Sequence, residues 1–111
     1  MREVNLSFNS LDENKKSLLM SWINENFIPI EHINTRTLGS YALKHIAENS
    51  IGFYISESQF IVAMQKCGFK SSLDFVLEDD EELTRGAKAS FNISSKSNAI
   101  KLYMNDNALV C

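Results

Sequence analysis

The residue types that carry most enzymatic and metal chemistry are scarce in this chain of 111 residues, which holds two cysteines, Cys67 and Cys111, and two histidines, His32 and His45. Zinc sites pair such residues at C-x-x-C or H-x-x-x-H spacing, and no pair here has it. Cys67 falls on the apolar side of a predicted helix, where burial raises a thiol pKa and blunts it as a nucleophile. Cys111 ends the sequence, and a terminal thiol is a poor disulfide partner for a core position. Both read as reduced thiols. His45 lies beside the apolar stripe of another predicted helix and reads as a boundary residue rather than a general base. Gly39, Gly52, Gly68 and Gly86 are isolated, so no loop cradles phosphate, and there is no G-x-S-x-G elbow. The expectation is a protein that is not an enzyme and carries no metal and no cofactor.

Two groups of polar residues remain. The first is the run Glu78, Asp79, Asp80, Glu81 and Glu82. It lacks the alternating spacing and central glycine of a calcium loop, so it reads either as a solvated loop or as a surface that attracts a basic partner. Residues 1–72 carry seven positive and seven negative side chains, and residues 73–111 carry four against seven, so the net charge of −3 arises around this run. The second group lies on a predicted helix that follows Ser56. At 100° per residue, Phe60, Ala63, Met64 and Cys67 fall on one side and form a buried stripe. Ser58, Val62, Gln65 and Lys66 fall on the other, with Gln59 at its edge and Lys70 just beyond. Such a face could meet a macromolecule: glutamine reads adenine edges and lysine meets phosphate. It could equally pack against the C-terminal part of the chain.

The elements that would position these groups follow from periodicity and punctuation. Val4, Leu6 and Phe8 alternate as in a short strand. Ser10 and Glu13 form a capping box, and Leu11, Leu18, Leu19, Trp22, Ile23 and Phe27 then recur at helical spacing up to Ile28-Pro29. After a connector, a second helix is predicted over 35–49, with Leu38, Tyr41, Ala42, His45 and Ile46 on one face. A short extended piece, 52–55, precedes a second capping box at Ser56 and Gln59. The third helix ends at Gly68-Phe69 in a left-handed cap. Phe91 and Ile93 alternate in a predicted strand over 90–94, and 99–104 reads as a final strand. These elements describe a single α+β domain over 1–111. Its helix-turn-helix-like part spans 35–70, and a wing with the acidic loop spans 73–104.

Part of the pattern is familiar. Tyr41-Ala42-Leu43-Lys44-His45-Ile46-Ala47-Glu48, Gly52-Phe53-Tyr54-Ile55, Phe60 with Ala63-Met64 and Gly68-Phe69, then Phe91-Asn92-Ile93-Ser94, resemble short uncharacterised proteins of phages and mobile elements of Gram-positive bacteria. The segment from Ser56 through the Phe91–Ser94 strand is also similar to winged-helix modules that follow phage and plasmid primase–helicases. The resemblance implies a small winged-helix-like domain with three helices and a β wing, acting as a nucleic-acid-associated accessory module. A long acidic insertion and a recognition-type helix poor in Arg and Lys depart from that pattern. The alternative is a protein-binding inhibitor of a host or phage nucleic-acid enzyme, of anti-defence type, using the acidic loop. The partner is then DNA or a nucleic-acid-processing protein. No stretch approaches the ~20 apolar residues of a membrane helix, and no signal peptide is evident, so a cytoplasmic protein without membrane contact is expected.

Overall fold

The computed structural model describes residues 8–72 and 89–110, with side chains of the last helix described through Met104. A 3-10 turn, Phe8–Ser10, leads into α1 (Glu13–Asn26). There follow α2 (Ser40–Ile51), α3 (Glu57–Lys66) and α4 (Asn98–Val110). α1 starts where the Asp12 side chain accepts the Lys15 N–H at 2.8 Å. The cap is therefore two residues later than the predicted Ser10 box. At its other end the Asn26 amide donates to the Trp22 carbonyl at 2.8 Å and accepts from Asn98 at 2.6 Å, joining α1 to the start of α4.

α3 is the axis of the molecule. Its capping box is complete: the Gln59 N–H donates to Ser56 Oγ at 3.1 Å, and the Ser56 N–H to Gln59 Oε1 at 2.9 Å. Its other end closes in a Schellman motif, with Phe69 N–H donating to the Met64 carbonyl and Gly68 N–H to that of Gln65, both at 3.0 Å. Gly68 has φ +94°, a left-handed conformation that costs a residue with a Cβ about 1–2 kcal/mol. The 3-10 turn, α1 and α2 all pack against α3, so its whole central run Phe60–Met64 is buried. Trp22, Phe27, Phe60 and Phe91 form a chain of edge-on ring contacts through this core, and Phe69 branches from Phe27.

The α+β winged-helix reading is overturned, because the described residues are helical and contain no strand or sheet. The predicted strand 99–104 lies inside α4, where Ala99, Ile100 and Tyr103 meet the core at helical spacing. The predicted strand 90–94 is extended and paired, but it forms only two isolated antiparallel bridges, Pro29 with Ile93 and Ser71 with Phe91. It threads between 28–34 and 70–72. Ser94 N–H donates to Ile28 O, Asn34 N–H to Phe91 O and Ser72 N–H to Ser90 O, all within 2.8–2.9 Å. Side-chain bonds add to this backbone pairing, which at Asn92 runs to both neighbours: its carbonyl accepts the Ile30 N–H at 2.9 Å and its N–H donates to the Lys70 carbonyl at 3.4 Å. Asn92 Oδ1 accepts the Lys70 N–H at 2.6 Å, and Asn92 Nδ2 donates to the Ile30 carbonyl at 2.9 Å. Most of the predicted strand over Val4–Phe8 lies outside the described residues, and Phe8 itself is in the 3-10 turn.

The helix faces also shift. Leu18, predicted on the inner side of α1, is 46% exposed, whereas Leu19, Trp22 and Ile23 are buried. α2 begins at Ser40 rather than near 35 and turns in Leu43, Lys44, Ile46 and Ala47, leaving Tyr41 49% exposed. Ser40 fixes its start. Ser40 Oγ donates to Glu57 Oε2 at 2.8 Å and accepts the Ala89 N–H at 3.0 Å, tying α2, α3 and the returning chain together.

Candidate interaction surface

Four side chains of α2, Tyr41, Lys44, His45 and Glu48, share one side of the helix at three- and four-residue spacing. Gly52 ends the helix with φ +87°, its N–H donating to the Glu48 carbonyl at 2.8 Å. The chain then turns back, and Ile55 N–H donates to Glu48 Oε2 at 3.1 Å. That bond brings Tyr54 against α2. Lys44 is fully buried, its ammonium 5.7 Å from the Tyr41 ring centre, 4.9 Å from that of Tyr54 and 3.4 Å from Glu48 Oε1. The same carboxylate oxygen accepts His45 Nδ1–H at 2.8 Å, and the His45 ring stands edge-on to Tyr41 with centres 4.5 Å apart.

One carboxylate thus satisfies a buried ammonium, an imidazole and a backbone N–H. Burying a cation is costly unless it is paired and hydrogen-bonded. The arrangement meets that requirement while leaving Tyr41 and Tyr54 49% and 40% exposed on the same face. Two amphipathic rings held by a buried ion pair are pre-organised contact area, because little side-chain freedom remains to be lost on binding.

The residues singled out on the third helix are scattered. Ser58, Gln59 and Val62 are at most 2% exposed, so they do not form an outer face. The Gln59 side chain is consumed by the capping box, and Val62 packs in the core. Gln65 is half-buried. Lys66 is exposed, with its ammonium 5.5 Å from the Phe8 ring centre. Lys70 is exposed and donates to the Glu31 carbonyl at 3.1 Å. The acidic residues Glu78, Asp79, Asp80, Glu81 and Glu82 lie outside the described residues. Cys67 is half-buried, its thiol 3.7 Å from the Met20 carbonyl, and burial pushes its pKa above the usual 9.0. Among the described residues no three His, Cys, Asp or Glu side chains cluster as metal ligands, and no helix is long and apolar enough to cross a membrane.

Tyr41, Lys44, Glu48 and Tyr54 lie in the segments that carry the family resemblance, but the sequence did not mark them as a contact surface. The signal available was a Lys-to-Glu pair four residues apart, flanked by tyrosines at three residues before and at the turn after. Comparison with known families, with curated proteins and with solved structures finds no match.

Proposed function

We propose that this chain acts by binding another protein, and that the Tyr41–Tyr54 face of α2 is the contact. The observation that carries the reading is the pair of half-exposed tyrosines seated on a buried, charge-paired lysine. Tyrosine is enriched among residues that dominate binding energy at protein interfaces. The resemblance to accessory proteins of mobile elements agrees with a binding role, and five consecutive carboxylates at 78–82 favour a partner with a basic surface, as nucleic-acid enzymes have. Reading a DNA groove with α3 would need Ser58, Gln59 and Val62 on the outside, and they are in the interior.

The test pairs two measurements. Tagged wild-type protein and the Tyr41→Ala/Tyr54→Ala variant are used to capture partners from nuclease-treated host lysate. In parallel, both proteins are titrated with duplex and single-stranded DNA at low salt, where phosphate contacts are strongest. A protein captured by wild type and lost from a variant that still folds, with no DNA binding, is the expected result. DNA binding that survives the double substitution would contradict the proposal.

A further inference from the structure

We draw no further inference here: the strongest candidate, the exposed surface patch of Ile28 and Ile30 on either side of Pro29, which lines a cleft of about 190 Å³ together with Phe27 and Phe69, is an apolar surface with nothing in the structure to show what covers it.

Discussion

Glu48→Ala is the sharpest perturbation of the α2 cluster. The substitution removes the carboxylate that faces Lys44 at 3.4 Å, His45 at 2.8 Å and the Ile55 N–H at 3.1 Å. Removing one partner of a buried ion pair costs about 3–5 kcal/mol, because the other charge stays behind in a poor solvent. The lower end applies here. Glu48 is 16% exposed, and the rings of Tyr41 and Tyr54 remain beside the ammonium. The expected loss is therefore about 3 kcal/mol, or a fall of roughly 12 °C in Tm for a domain of this size. Lys44→Met is the contrasting change. It keeps the shape, removes the buried charge and leaves Glu48 with His45 and Ile55, so it costs under about 1.5 kcal/mol. Thermal and urea denaturation followed by circular dichroism measure both. A Glu48→Ala variant within 1 kcal/mol of wild type, or a Lys44→Met variant less stable than Glu48→Ala, would refute the reasoning.

Other consequences follow from single contacts. Asn92→Ala leaves the Lys70 N–H and the Ile30 carbonyl without their partners, which costs about 2–4 kcal/mol by urea denaturation; a cost under 1 kcal/mol would show that water replaces the amide. Gly68→Val places a β-branched residue at φ +94°, where no heavy atom lies near a Cβ, so the loss of about 2 kcal/mol is backbone strain alone; Gly68→Asn, tolerant of that region, will cost less, and equal costs would contradict this. Burial holds the folded Cys67 thiol above 9.0, so in a Cys111→Ser background alkylation by iodoacetamide at pH 8 will be slower than in the urea-unfolded chain. The same shift bears on stability only at alkaline pH: below about pH 8 the thiol is protonated in both states and this group leaves stability unchanged, and stability falls as pH rises past 9.0. Native and unfolded thiols that react equally fast would refute the shift.

What could be read from the sequence was local. The Ser56–Gln59 capping box and the Gly68-Phe69 cap of α3 involve residues at most five apart, and both are present in full. Trp22 was expected in the core and is buried. The failures are matters of context. The run Phe60–Met64 is apolar without a break, the mark of a helix buried on every side, yet a wheel that assigns one buried stripe forces the remainder outward. Segment 99–104 fits a strand by composition, but Ala99, Ile100 and Tyr103 are spaced as a helix that packs on α2. Segment 90–94 has a strand's alternation and bonds to both neighbouring segments, but the pairing amounts to two isolated bridges rather than a ladder. The buried lysine depends on where the turn after Gly52 returns the chain, and no local pattern encodes that.

The most direct test of the central claim is photo-crosslinking from the tyrosine face. Tyr54 is replaced by p-benzoylphenylalanine, and Lys96, exposed in the turn before α4, carries the same probe as a control. Irradiation in the cells that express each variant, followed by mass spectrometry, identifies what each position touches. A discrete protein adduct from position 54, absent from position 96 and lost when Tyr41→Ala is added, is predicted. Adducts to nucleic acid from position 54, or the same adducts from both positions, would contradict the account.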